Sequence, residues 1–177
     1  LERSFSPSSG WSRDEIACTL RVSHTAASTA PAYDVDLRDA LPAGLEYVPG
    51  SAEIVSGPAG SGLSGSEAPA WSIPELDGSW SGEQKVELSY MARIADHLPS
   101  QDSLTCRAEL SWTSTAGENP QERSYTLSSQ AAVRLDPPAP QLQIGLTDSP
   151  DPLAPGGRLN YTISYANQGG PAEDTRI

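Results

Sequence analysis

Residues 16–22 read IACTLRV and alternate apolar with polar side chains, and the same alternation returns at residues 159–165, which read LNYTISY. The two stretches align at an offset of 143 residues (161 − 18), and the Ser-Pro pair at residues 6–7 recurs at residues 149–150 with the same offset. Alternation with a period of two is typical of a β-strand with one buried and one solvated face. A recurrence over so long a distance indicates a repeated structural unit.

The chain divides at a proline-rich segment. Residues 137–140 read PPAP, and such a segment forms a semi-rigid spacer that holds neighbouring domains apart. The sequence therefore predicts one complete unit at residues 1–136, this linker, and the first strands of a second, truncated unit at residues 141–177.

Composition favours strands over helices. The chain of 177 residues contains 16 Pro and 15 Gly, which disfavour long helices and favour short strands joined by turns. Further alternating stretches occur at residues 86–94 and 104–112. About nine such strands predict an all-β fold, an immunoglobulin-like two-layer antiparallel β-sandwich, followed by the start of a second one.

Charge and hydropathy exclude two classes of partner. The formal net charge of −12 repels the phosphates of nucleic acids. The sequence contains no run that approaches the roughly 18 apolar residues needed for a membrane helix. We therefore predict neither nucleic-acid binding nor membrane insertion by this segment.

Several short motifs, in this order, carry a family resemblance. Residues 39–45 read DALPAGL, residues 71–73 read WSI and residues 108–114 read AELSWTS, while residues 161–167 read YTISYAN and follow the Pro-Gly pair at residues 155–156. Together these motifs resemble the bacterial surface repeat known as domain of unknown function eleven, and the resemblance covers nearly the whole chain. It implies a tandem, immunoglobulin-like module of a large secreted or wall-attached bacterial protein, and it implies no chemistry.

The resemblance implies a function and a location. We expect a non-catalytic structural or adhesion module, exported to the cell surface or the extracellular space, that serves as a stalk or spacer between neighbouring repeats of the same chain. No enzyme is expected, because the sequence shows no nucleophile elbow of the form G-x-S-x-G and no glycine-rich phosphate loop ahead of a helix.

Some members of the family that the chain resembles carry a covalent crosslink between Lys and Asn side chains. Relatives with a Lys–Asn isopeptide bond would place Lys at the positions of Arg3 and Leu146, and Asn near Cys106. The one lysine, Lys85, lies on the polar side of its strand. We therefore predict no such bond, because neither required group, a lysine or an asparagine, faces the core beside a carboxylate.

The two cysteines, Cys18 and Cys106, fall on the apolar sides of their strands. With the extracytoplasmic setting that the resemblance implies, this placement predicts a disulfide between them. The alternative is two separate buried thiols that pack as small apolar side chains.

Metal binding has weak candidates. Asp34, Asp36 and Asp39 could supply oxygen ligands to calcium, but their spacing is not that of a calcium loop, and a solvated polar face is the alternative. His24 is predicted to close a strand-end turn, and the chain has one other histidine, His97. Apart from calcium, no cofactor is expected.

A carbohydrate-binding β-sandwich is the alternative function. Trp11 and Trp80 fall in predicted turns, where exposed indole rings could form a platform for sugars. Their other interpretation is as covers over the edges of the core.

The truncated second unit predicts an association. It carries apolar strand positions without the strands that would cover them, and an isolated hairpin is marginal in water. We expect it to pair with a sheet edge, either of its own first unit or of a neighbouring molecule, and the stiff linker favours a homo-oligomer. The positions are Leu142, Ile144, Leu159, Tyr161, Ile163 and Tyr165.

Overall fold

The computed structural model of the chain describes residues 1–63, 69–96, 98, 101–170, 172 and 174–176. All regular secondary structure within these residues is β-strand. The strands in chain order are β1 (Glu2–Ser6), β2 (Ser9–Gly10), β3 (Glu15–Val22), β4 (Ala32–Ala40), β5 (Leu45–Tyr47), β6 (Glu53–Ser56), β7 (Gly62–Leu63), β8 (Ala70–Leu76), β9 (Val86–Ile94), β10 (Ser103–Thr113), β11 (Ser124–Leu135), β12 (Leu142–Ser149) and β13 (Asn160–Asn167).

The chain forms two compact units, Leu1–Asp136 and Pro137–Ile177. The first unit contains two sheets. One has the strand order β1-β3-β9-β5, with β6 also paired to β9, and the other has the order β2-β11-β10-β4-β8-β7. Neighbouring strands are antiparallel except β2, which runs parallel to β11.

The spatial order of the strands in the two sheets matches that of an immunoglobulin domain. Immunoglobulin domains place strands A, B, E and D in one sheet and strands C, F and G in the other, with C′ added beside C in the variable type. In this chain β1, β3, β9 and β5 take the first set of places, and β4, β10, β11 and β8 take the second. The prediction of an immunoglobulin-like two-layer antiparallel sandwich is confirmed.

The core lies between the two sheets and follows from the alternation in the sequence. In β3, Ile16, Cys18, Leu20 and Val22 are buried and the residues between them are not. The strands β9 and β10 bury alternate residues in the same way. Trp71 is the largest fully buried side chain. Burial of each large apolar side chain stabilises the fold by about 1.5–3 kcal/mol.

The second unit is a hairpin of β12 and β13 that repeats the pairing of β1 and β3. Arg3 lies opposite Leu20 in β1–β3. Leu146 lies opposite Ile163 in β12–β13, and both residues are 143 positions beyond their counterparts (146 − 3 and 163 − 20). The same offset relates every pair along the shared length. The repeat in the sequence is therefore also present in the hydrogen-bond register of the two hairpins.

The two hairpins differ in what covers them. In the first unit the inner positions of β3 are buried by the facing sheet. In the second unit the corresponding side chains of β12 and β13 are between 50% and 73% exposed. These exposed apolar side chains share one face of the hairpin and are Leu142, Ile144, Leu146, Tyr161, Ile163 and Tyr165.

Candidate functional site

One cluster of polar side chains lies inside the apolar core of the first unit. Arg3 comes from β1, Asp39 from β4 and Tyr90 from β9. Strand alternation turns each of them inwards, because Arg3 shares a face with Phe5, and Asp39 shares a face with Leu37. Since β1 and β9 belong to one sheet and β4 to the other, the cluster connects the two layers.

The three side chains are in direct contact. Arg3 Nη2 lies 2.6 Å from Asp39 Oδ2, and the side chains of both residues are 0% exposed. Tyr90 donates its hydroxyl proton to Asp39 Oδ2 over 2.7 Å and accepts a hydrogen bond from Arg3 Nη2 over 3.1 Å. The Arg3 guanidinium also lies over the ring of Phe5, 4.9 Å from its centre. The geometry is that of a closed charge-assisted triad.

Burial dominates the electrostatics of the triad. Burial raises the pKa of Asp39 to about 6, because the lost hydration outweighs the Arg3 charge and the hydrogen bonds from Tyr90 and Arg3. Burial also raises the pKa of Tyr90, so its hydroxyl keeps its proton and remains a donor. Within the described part of the chain, Nε and Nη1 of Arg3 and Oδ1 of Asp39 find no hydrogen-bond partner. We infer that the triad fixes how the two sheets face each other more than it stabilises them.

The two cysteines lie beside this triad. Cys18 is on β3 and Cys106 on the facing β10, and both are buried. Both are free thiols, so the predicted disulfide is not present in this structure. Burial raises the pKa of Cys18 to about 11, against the opposing effect of a hydrogen bond with Tyr90. Burial likewise raises the pKa of Cys106 to about 12. Neither thiol is suited to act as a nucleophile, because the reactive form is the thiolate.

Two sequence-based predictions concern this region. Asp39 was named with Asp34 and Asp36 as a calcium candidate, but it is buried and paired with Arg3. Its position two residues beyond Leu37 places it on the inner face, so the alternation already contained this signal. At the place of the crosslinking lysine a different cation faces the core beside a carboxylate, and the lysine of the chain does not. That cation is Arg3, while Lys85 pairs with Glu2 on the surface.

The other calcium candidates do not form a site. The Asp34 carboxylate accepts a hydrogen bond from the backbone N–H of Gly117 over 2.8 Å, which ties it to a turn. Asp36 lies on the outer side of β4, away from the buried Asp39. Among the residues that the structure describes, no group of three or more His, Cys, Asp or Glu side chains could hold a metal ion.

The indole rings proposed as a sugar platform lie against the core. Trp11 and Trp80 are both partly buried and pack against the apolar cluster. The aromatic pair that sequence reasoning missed is Trp112 with Tyr125, whose rings stack with centres 5.5 Å apart. These two residues are direct neighbours across β10 and β11.

His24 lies at the end of β3, where the sequence placed it. Its Nε2 lies 2.6 Å from the carbonyl oxygen of Leu76 and its Nδ1 lies 2.7 Å from Ser28 Oγ. Its ring therefore fastens a loop, as predicted. His97 lies outside the described residues.

We expect the contribution of Asp39 to the stability of the fold to fall as the pH rises from about 3 to about 7. The pKa of Asp39 is about 6 in the folded chain against an ordinary value of 3.8, so the folded chain binds this proton more tightly than the unfolded chain. Stability that is present at low pH is then lost as the pH rises, by about 3 kcal/mol for a shift of this size.

Urea unfolding of the wild type and of Arg3→Leu/Asp39→Asn over this pH range measures the effect. The double variant lacks the charges of Arg3 and Asp39 but keeps surface carboxylates such as Glu2 and Asp77, whose pKa values are lowered. Subtracting its free energy of unfolding from that of the wild type at each pH therefore cancels the contribution of these surface groups. A difference that is constant, or that favours the wild type more at higher pH, contradicts the expectation.

The first unit is thus an immunoglobulin-like β-sandwich whose buried polar triad is closed to solvent. Comparison with models of protein families gives no match, and comparison with curated proteins gives none either. Among solved structures, the chain is similar to one described as the crystal structure of group B streptococcus pilus 2b backbone protein. The identity is 9%, the match covers 96% of this chain and 79% of that chain, and the TM-score is 0.47. A similarity of this extent carries no functional argument.

Proposed function

We propose that the chain is a non-catalytic structural or adhesion module of a secreted or cell-surface bacterial protein, and that it acts as a stalk or spacer in a tandem array. The observation that carries this proposal is the shared register of β1–β3 and β12–β13. A tandem array requires the same hairpin to be formed on both sides of a linker, and a pairing register is set by the sequence pattern of both strands.

The segment between the units supports a spacing role. Residues 137–140 contain three prolines, which restrict the backbone and hold the chain extended. An array built from sandwiches and such linkers keeps its modules apart. In the part of the chain that the structure describes, no helix is long and apolar enough to span a membrane.

The chemistry of the first unit also favours a mechanical role. Arg3, Asp39 and Tyr90 are polar groups buried in its core, and their contacts are with one another. Groups placed for catalysis or binding would have to reach a cleft. The triad instead spans the two sheets and couples them.

Carbohydrate binding through Trp11 and Trp80 is the alternative function, and a direct test distinguishes it from the spacer function. We expect Trp11→Ala and Trp80→Ala to lower the free energy of unfolding by about 1–3 kcal/mol each, because both rings cover the core. The wild-type chain is expected to show no specific signal on a glycan array and no turnover of glycans or peptides.

The matched control is Tyr125→Ala, which removes a comparably large but more exposed ring from the same unit. Specific glycan binding that is lost in Trp11→Ala or Trp80→Ala and kept in Tyr125→Ala would establish the carbohydrate-binding function. If the wild type turns over glycans or peptides and these substitutions change the rate, the proposal of a non-catalytic module is wrong.

A further inference from the structure

The strand β11 forms an open edge of its sheet over most of its length. It pairs with β10 from Ser124 to Arg134, but on its other side β2 pairs with it only at Arg134 and Leu135. Among the described strands, none pairs with residues 124–133 on that side. The strand takes the place of strand G, which is an edge strand in the immunoglobulin order. The open edge is therefore a property of the sandwich itself.

The free backbone groups of this edge belong to alternate residues. The N–H of Arg134 donates to the carbonyl oxygen of Ser8, on the β2 side, whereas the N–H of Leu135 donates to the carbonyl oxygen of Asp102, on the β10 side. Successive residues of a strand alternate in this way, and the pairing of β11 with β10 has no shift of register. The N–H groups that face the open edge are therefore those of Thr126, Ser128, Gln130 and Ala132.

Burial along the inner face of β11 changes where β2 ends. Beside β2, Val133 and Leu135 are buried. Where no described strand pairs with the edge, Tyr125 and Leu127 on the same face are 40% and 45% exposed. A further strand at this edge would cover more of their apolar surface.

The composition of the edge lacks the usual protection. Proteins block open edges with charged side chains or proline, yet residues 124–133 read SYTLSSQAAV and contain neither. Each copy of the chain carries a net charge of −12, so most faces of two copies repel one another. Two copies can approach through this edge without bringing carboxylates together.

We propose that β11 of one copy of the chain pairs antiparallel with β11 of a second copy through residues 124–133. The edge is complementary to itself, because antiparallel pairing about a twofold axis sets each outward N–H opposite an outward carbonyl of the partner. With the axis near the middle of the edge, at Ser128 and Ser129, Leu127 of one copy comes next to Ala131 of the other on the inner face. This contact belongs to the first unit and does not depend on the spacer function.

Sedimentation equilibrium of the full chain over a wide concentration range tests the proposal. The wild type is expected to form a dimer, and Gln130→Pro is expected to raise the dimer dissociation constant by about tenfold or more. Proline removes the outward N–H of residue 130 and leaves the pairing with β10 in place, because that N–H faces away from β10. The matched control is Gln130→Ala, which removes the same side chain, keeps the N–H and is expected to leave the dimer unchanged.

A second pair of variants tests the edge without proline. Ser128→Lys puts a charge on the edge, which is how natural edges resist strand addition, and is expected to raise the dissociation constant by about tenfold as well. Ser111→Lys makes the same change at an exposed position of β10, between its paired neighbours β11 and β4, and is expected to leave the dimer unchanged. Circular dichroism checks that each variant is folded, and Ser128→Lys decides alone if Gln130→Pro does not fold.

Amide hydrogen exchange followed by NMR locates the contact. As the concentration rises, exchange is expected to slow at Thr126 and Ser128, which face the open edge, and to change little at Leu127 and Ser129, which face β10. A wild type that stays monomeric at every concentration overturns the proposal. So does a dimer that Ser128→Lys leaves intact, or one in which Thr126 and Ser128 gain no protection. An equal loss of the dimer in Gln130→Ala or Ser111→Lys also contradicts it.

Discussion

Arg3→Leu is expected to lower the free energy of unfolding by about 3–5 kcal/mol at pH 7. The substitution leaves the Asp39 carboxylate buried without its cation, and removal of one partner from a buried ion pair has a cost of this size. Leucine is the natural choice, because Leu146 occupies the corresponding position in the second hairpin. Urea unfolding followed by tryptophan fluorescence measures the change.

The second substitution Asp39→Asn is expected to recover most of this loss. Asparagine removes the unpaired charge and still accepts the hydrogen bond that Tyr90 now donates to Asp39. The loss in Arg3→Leu is also expected to shrink at pH 5, where an unpaired Asp39 is protonated more readily. An Arg3→Leu variant within about 1 kcal/mol of the wild type at pH 7, or a double variant no more stable than the single one, would show that the pair is not coupled in this way.

The alternation of apolar side chains predicted most of the first unit, because one buried face per strand fixes both the strand and its inward residues. The strands β3, β9 and β10 show this clearly. Short pieces were harder to predict. Residues 6–10 read SPSSG, a composition typical of a turn, yet Ser9 and Gly10 pair with β11 of the other sheet. A pairing of two residues leaves no periodic signal in a sequence.

The buried triad was missed for a different physical reason. Alternation tells which face a side chain occupies, and it places Asp39 inwards beside Leu37. It does not tell which charge from a distant strand will meet that carboxylate. Arg3 and Asp39 come from facing sheets, so their contact depends on how the two layers stack. The exposed face of β12 and β13, in contrast, followed from the pattern alone.

Refolding in an oxidising glutathione buffer is expected to join Cys18 and Cys106 and to stabilise the fold by up to about 4 kcal/mol. The prediction rests on topology. Cys18 lies on the strand in place B and Cys106 on the strand in place F, where immunoglobulin domains of antibodies carry their inter-sheet disulfide. The bond would close a separation of 88 residues (106 − 18), which removes much entropy from the unfolded chain.

The route of oxidation matters for the measurement. Because burial raises the pKa of Cys18 to about 11 and that of Cys106 to about 12, the folded reduced chain holds very little thiolate. We therefore expect the bond to form during refolding from urea and hardly at all in the folded reduced chain. Alkylation followed by intact-mass measurement counts the thiols, and urea unfolding measures the stability. Cys18→Ala/Cys106→Ala, refolded in the same buffer, is expected to gain nothing from oxidation. Two alkylated thiols in the refolded wild type, or an equal gain in the double variant, would refute the bond.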